Sequence, residues 1–458
     1  MQTRHSLAHG PRALVALLAL LCGASTAAPA QQSPFTPQQW QQQQLLAARK
    51  SEQILAQAER IRGLLPQTLF LQARYDSDRD RAFRAIFGQY LSWYQTFIGD
   101  YIGAAHSFSI AQPLLADDAP SPRLAGQWRA VPALDALARL ARGRKAIFLN
   151  ENHSAPITRT LTVQLLARLR AEGYDTFAAE TLYTGDMTAL ATRGYATDAS
   201  GFYTREPVYA EMVRRALALG YRVIAYEAES NTQGDARERE QAENLYRRAF
   251  DGHPDARLVV NAGYAHIQKR GAYLDGHAMA WHFMRRSGID PLCVEQTMLF
   301  AHLDTHDDHP WWTQVMQALR PTAPIIFESA ASTPWTLRPG AYDVSVWFPP
   351  QQIADNRPTW LSLGGLRRSY RVAAIDYCPN ALPCLLEARP LGAPHAAIPD
   401  DRVILRQADE ISVLWLAPGR YRLSARDRND TASRSINIRV DAEAPAATTK
   451  QPPPSPGA

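Results

Sequence analysis

The chain has 458 residues, a formal net charge of +5, 46% hydrophobic residues and four cysteines. That length implies two or three domains, and a mild charge with acids and arginines interspersed gives nucleic-acid binding no electrostatic support. No stretch beyond the N-terminus is apolar for long enough to cross a bilayer, so no integral membrane segment is expected.

Residues 1–30 read as a signal peptide: Arg4 and Arg12 precede an apolar run from Ala13 to Cys22, and small residues follow to Ala30. Leu20-Leu21 is too bulky for a lipoprotein site at Cys22, so the expectation is a periplasmic or secreted protein. The charge falls to +3 once Arg4 and Arg12 are removed. In an oxidising compartment Cys378 and Cys384 can close a local disulfide, though spacing alone leaves two free thiols open. Cys293 lies in an apolar run and reads as buried.

Residues 31–125 read as a helical segment. Thr36-Pro37-Gln38-Gln39 has the pattern of a capping box with proline at the first helical position. Asp76-Ser77-Asp78-Arg79-Asp80 resembles a calcium loop, but Arg81 and Phe87 stand where that loop needs Gly and Glu, so a helix start is expected there. The aromatics Phe83, Phe87, Tyr90, Tyr94, Phe97 and Tyr101 recur at helical spacing, which points to packing.

Residues 126–366 alternate helix and strand. The expected strands are Ala146–Leu149, Thr176–Ala179, Arg222–Tyr226, Arg257–Val260 and Pro291–Val294, with Gly173, Gly220 and Gly288 stopping the intervening helices. Short apolar strands between helices predict an α/β fold with a mostly parallel sheet covered on both faces. Residues 367–441 change to short alternating runs, read as a small β-sandwich with a hairpin around Asp427-Arg428-Asn429-Asp430. Residues 442–458, rich in Ala, Pro and Thr, read as a disordered tail.

The chemistry gathers at the strand ends. The first strand runs into Glu151 and His153, the second into Glu180, the third into Glu227 and Glu229, the fourth into Gly263-Tyr264-Ala265-His266. In a parallel sheet these ends share one edge, where open α/β folds bind ligands. Taken singly, His153 fits a loop residue and His266 a satisfied core histidine; four strand ends together argue for a site. A histidine beside a carboxylate can take a proton from water. The same His and Glu residues, His153, Glu180 and His266, could instead hold a divalent metal that activates water. A weaker metal candidate is the stretch His302-Leu303-Asp304-Thr305-His306, alternatively a solvated loop before an Asp-capped helix near Pro310. The chain has no G-x-S-x-G, H-E-x-x-H, G-x-G-x-x-G, phosphate-loop or C-x-x-C-H motif, which disfavours the usual serine hydrolases, zincins, nucleotide enzymes and covalent haem.

Asn150-Glu151-Asn152-His153, Glu180, Gly263-Tyr264-Ala265-His266 and the helix with Arg239-Glu240-Gln241-Ala242-Glu243-Asn244 resemble, in order, the erythromycin esterase-like superfamily that includes TIKI/TraB-type and ChaN-like proteins. The resemblance covers about residues 144–300. It departs at Asn150, where the family has glycine; Asn tolerates left-handed backbone better than most residues, which would keep the turn. The resemblance does not choose the chemistry, because relatives include esterases, metal-dependent peptidases and haem binders; it is the residue types converging on one sheet edge that point to a hydrolase of an ester or amide, with a small-molecule or peptide substrate. In that reading His153 activates water with the help of Glu180 and His266, Glu151 and Glu227 tune or orient the site, and Arg239 holds an anionic group or stabilises developing oxyanion charge. Relatives that bind haem or metals make sequestration the alternative. The β-region could also bear a cell-envelope partner.

Overall fold

The computed structural model describes residues 36–122, 127–379 and 381–442. The expected signal peptide, the junction at 125–126 and nearly all of the expected tail lie outside those residues. Among the described residues four helices come first: α1 (Pro37–Ala58), α2 (Leu64–Ser77), α3 (Arg81–Phe97) and α4 (Tyr101–Ser107). The capping box at Thr36 forms. Asp80 caps α3 by accepting from the Phe83 N–H at 2.7 Å, so the acidic run starts a helix.

The α/β region follows as β1 (Trp128–Pro132), α5 (Ala133–Ala141), β2 (Ala146–Glu151), α6 (Ile157–Ala171), β3 (Thr176–Ala179), α7 (Met187–Arg193), α8 (Pro207–Ala218), β4 (Arg222–Ile224), α9 (Gly234–Phe250), β5 (Leu258–Gly263), α10 (Met279–Ser287), β6 (Leu292–Glu295), α11 (Pro310–Leu319), β7 (Ile325–Ser329) and β8 (Val344–Ser345). Strands β4-β3-β5-β2-β6-β8 form a six-stranded, all-parallel sheet in that order. β1 and β7 pair separately and antiparallel. The helix before β6 ends at Gly288 in the left-handed conformation, φ 68°, which costs a residue without a Cβ nothing. α11 is capped by His309, not by an aspartate: the Trp311 N–H donates to His309 Nδ1 at 3.1 Å.

Side chains alternate across the sheet, as the pleat requires. Ile147, Leu149, Phe177 and Val259 pack on one face with Leu161 and Leu165 of α6 and Val208 and Met212 of α8. Phe148, Val260 and Ala262 pack on the other with Ala242 and Leu245 of α9 and Phe283 of α10. Phe83, Phe87, Tyr90, Tyr94 and Phe97 of α3 belong to the first of these cores. The N-terminal helices are therefore built onto the sheet's helical layer, with which they share one core.

After the two-residue hairpin β9 (Ile353–Ala354) and β10 (Arg357–Pro358), the chain forms a small antiparallel sandwich. Its strands are β11 (Arg368–Ala373), β12 (Cys384–Pro390), β13 (Asp401–Leu405), β14 (Ile411–Leu416), β15 (Gly419–Arg426) and β16 (Ala432–Val440). The sheets β13-β12-β15-β16 and β11-β14 enclose Val372, Leu386, Leu405, Leu414 and Leu423. Cys378 and Cys384 are disulfide-bonded within it, and Cys293 is free and buried in β6. Among the described residues no helix is long and apolar enough to cross a membrane.

Candidate active site

β2 stays paired as far as Glu151, opposite Gly263 of β5, and then turns at once, with Asn152 bridged to Ala155. Asn152 Oδ1 accepts from the Ser154 N–H at 2.9 Å, closing the turn that presents His153. Asn150 does not adopt the left-handed backbone expected of it; it is extended, within β2. Its side chain explains its presence. Nδ2 donates to the Tyr264 carbonyl at 2.8 Å and Oδ1 accepts from the Gln296 N–H at 2.6 Å, so one amide ties β2 to the ends of β5 and β6.

The two histidines are held alike, one from each side of the sheet. His153 Nδ1 lies 2.8 Å from Glu151 Oε1, and Glu151 is clasped by Arg159 of α6 at 2.6 and 2.9 Å. Arg159 also donates to Glu206 at 2.9 Å. His266 Nδ1 lies 2.7 Å from Glu238 Oε2 of α9. Both Nε2 atoms turn to one carboxylate, that of Glu180 at the end of β3: His153 is 3.6 Å from Oε2 and His266 3.7 Å from Oε1. Histidine held at Nδ1 by a carboxylate carries its proton there and keeps Nε2 for chemistry. His153, Glu180 and His266 are each no more than 3% exposed.

Gly263 is needed where it stands. A Cβ there would lie 2.3 Å from His153 Nε2 and 3.0 Å from Glu180 Oε2, and its N–H donates to Glu180 Oε2 at 2.5 Å. Tyr203 stacks on His153 with ring centroids 4.0 Å apart. Thr181 and Tyr264, each just past the end of a strand that supplies the site, have positive φ of 59° and 43°. For a β-branched residue such as Thr181 that is a strained backbone, of the kind that gathers at functional sites.

The charges are mutually supporting. Burial opposes ionisation of Glu151, but the Arg159 charge and the His153 contact outweigh it and hold its pKa at about 2. Burial likewise opposes ionisation of Glu180, and His266, His153 and Arg237 together bring its pKa below the ordinary range. Burial disfavours the His266 imidazolium, yet Glu238 and Glu180 raise its pKa above the ordinary histidine value. Burial, then the Glu180 charge, keeps Tyr203 a neutral phenol.

The expected residues separate into two groups. Glu151, His153, Glu180 and His266 come together, and Glu227 stands beside them, 2.8 Å from an arginine. That arginine is Arg237, not Arg239. Arg237 is 1% exposed and reaches Glu227 at 2.8 Å, Glu180 at 3.7 Å and Glu238 at 3.8 Å. Arg239 points out of α9 to solvent and pairs with Asp235 one turn earlier at 2.6 Å. The helical stripe Glu238, Ala242, Leu245, Ala249 marks the inner face, and Arg237 and Arg239 flank it on opposite sides, each about 100° from Glu238; packing buries the Arg237 side together with Gln241 and Asn244. That periodicity was the signal for Glu238, while nothing in the sequence separated Arg237 from Arg239. Glu229 is over half exposed and pairs with Arg248. Arg159 and Glu206 carry no sequence motif; only their burial against Glu151 marks them.

The donors fit a metal only in part. Two Nε2 atoms flank Glu180, but they approach different oxygens, and Arg237 stands at the same carboxylate. No group of three His, Cys, Asp or Glu side chains converges as a ligand set among the described residues. In the weaker stretch, His302 Nδ1 pairs with Asp308 at 3.0 Å and His306 with Asp304 at 2.9 Å, the latter pair exposed. Each histidine there is taken by its own aspartate.

No family model matches the chain, and no curated protein does. Among solved structures, one titled as bacterial protein toxins aligns at 18% identity over 36% of each chain, TM-score 0.28. The type III effector HopBA1 aligns at 14% identity over 40% of this chain and 95% of its own, TM-score 0.28. RRSP, a MARTX toxin effector domain from Vibrio vulnificus CMCP6, aligns at 15% identity over about half of each chain, TM-score 0.26. The chain spans about a third of the first of these, and superpositions so loose assign neither fold nor activity.

Proposed function

We propose that the protein is an exported hydrolase of an uncharged ester or amide, with His153 as general base. The observation that carries this reading is the pair of carboxylate-backed histidines whose Nε2 atoms meet at Glu180 on the C-terminal edge of a parallel sheet. His153 takes a proton from water at Nε2 as the water oxygen bonds to the carbonyl carbon, and Glu151 stabilises the imidazolium that forms. His266, its pKa raised, and Arg237 face the negative charge that develops on the carbonyl oxygen. As the bond to the leaving group breaks, the proton held by His153 passes to the alkoxide or amine. An anionic substrate would meet Glu180, Glu227 and Glu238 around Arg237, which favours a neutral carbonyl.

The test is turnover of an ester and peptide panel by the mature chain and by His153→Ala, Glu180→Gln and His266→Ala. The expected result is a loss of at least ~100-fold in each variant. A wild-type chain without turnover on any substrate, or variants at wild-type rates, would overturn it. Stoichiometric capture of a metal or haem by the same cluster of residues is the second reading. It draws on His266 Nε2, Glu227 Oε2 and Glu238 Oε1, buried atoms without a hydrogen-bond partner in the protein. Metal analysis and haem titration of purified protein separate it from catalysis.

A further inference from the structure

A cavity of about 320 Å³ lies on the other side of the turn that carries His153. Asn152 and Ser154 line it, while His153, Glu180 and His266 do not. Its remaining wall comes from α4, the loop after β6, α11 and the β9–β10 hairpin, with Ile102, Phe108, Ile157, Phe300, Trp312 and Trp360 supplying apolar surface. The volume falls at the lower end of the range typical of small-molecule sites. It holds about ten heavy atoms, at the roughly 30 Å³ that a water takes in the liquid.

The electrostatics of the wall define the ligand. No Lys or Arg lines the cavity among the described residues, and its one carboxylate, Asp308, is occupied by the backbone N–H and Nδ1 of His302 at 2.7 and 3.0 Å. With Nδ1 committed to Asp308, Nε2 is the ring atom of His302 left to hydrogen-bond a guest. An anion would find no countercharge here and would stand beside Asp308.

We infer that this cavity is a binding site for an uncharged, largely aliphatic small molecule carrying one hydroxyl or comparable polar group, separate from the histidine cluster. Apolar burial supplies the affinity and His302 Nε2 a polar contact. Tyr101, also in the wall, donates to Glu206 at 2.7 Å, and Glu206 accepts from Arg159, which clasps Glu151. The occupant therefore sits at the outer end of a hydrogen-bonded chain that ends on His153.

The experiment uses the mature full chain and 1-octanol as probe, read by tryptophan fluorescence because Trp312 and Trp360 line the wall. Saturable octanol binding is expected, with octanoate at least tenfold weaker. Ala105→Phe, which puts a ring into the cavity, should abolish binding, and His302→Leu should weaken it severalfold. Ile102→Trp fills the same space and replaces Ala105→Phe if that variant fails to fold. Absence of saturable binding, equal affinity for octanoate, or binding unchanged in the filled variants would overturn the inference. No outcome depends on turnover, so the result stands apart from the hydrolase reading.

Discussion

Arg159→Met removes the one fixed cation of the His153 arm. Arg159 is fully buried and spans two buried carboxylates, Glu151 and Glu206. Glu151 titrates at about 2 rather than the ordinary 4.5. That depression corresponds to ~3 kcal/mol of native stability at neutral pH. A carboxylate with a depressed folded pKa contributes its stability above 4.5 and loses it as pH falls towards 2. Without the guanidinium, burial of Glu151 is opposed only by His153 and the Asn261 amide, which donates to Oε2 at 3.0 Å, so its folded pKa rises, and Glu206 also loses its cation. Breaking a buried pair on one side costs ~3–5 kcal/mol. Urea unfolding of both proteins should show that loss at pH 7, and the gap should narrow as pH falls to 4 because the stranded carboxylates take up protons. Adding Glu151→Gln to the variant should recover part of the loss. A cost below ~1 kcal/mol at pH 7, or a gap that does not change with pH, would refute the argument.

Gly263→Ala drives a methyl into His153 and Glu180; a melting scan should register ~1–3 kcal/mol of overpacking, and turnover should fall ~100-fold through misplacement of the base. His266 should titrate by histidine NMR above its ordinary value, so its contribution to stability is full below 6.5 and is lost as pH rises through the folded pKa; Glu238→Gln should bring that midpoint down. Arg239→Ala should leave unfolding free energy within ~0.5 kcal/mol of wild type, whereas Arg237→Met, which strands Glu180, Glu227 and Glu238, should lower both stability and turnover. Deletion of residues 367–442 should yield an insoluble chain, assayed by expression and sedimentation. Arg402 of the sandwich donates to the Phe97 and Arg205 carbonyls and Arg357 pairs with Asp401, so the cut would bare buried charge.

Much of the fold was legible because its signals are local. Apolar strand runs, helical stripes closed by glycine, and the alternation after residue 367 each report a period over a few residues, and the parallel sheet and the C-terminal sandwich follow from them. Their boundaries were less so: β2 runs two residues beyond its apolar core, to Glu151, because Asn150 and Glu151 keep their backbone pairs with β5 while their side chains find polar partners. The helical face of α3 was readable, but not that it would share a core with the sheet.

For the candidate site, the sequence by itself determined which carboxylates and imidazoles arrive at the edge of the sheet, since chain direction and strand ends are properties of neighbours in the chain. Only the tertiary structure decided how they are used. The order β4-β3-β5-β2 sets Glu180 and Gly263 beside His153, and packing of α9 selects Arg237 and Glu238 over Arg239. Packing of α6 and α8 places Arg159 and Glu206 behind Glu151. Charges that no motif announces were set by burial, because a carboxylate taken out of water must find its cation wherever the fold has put one.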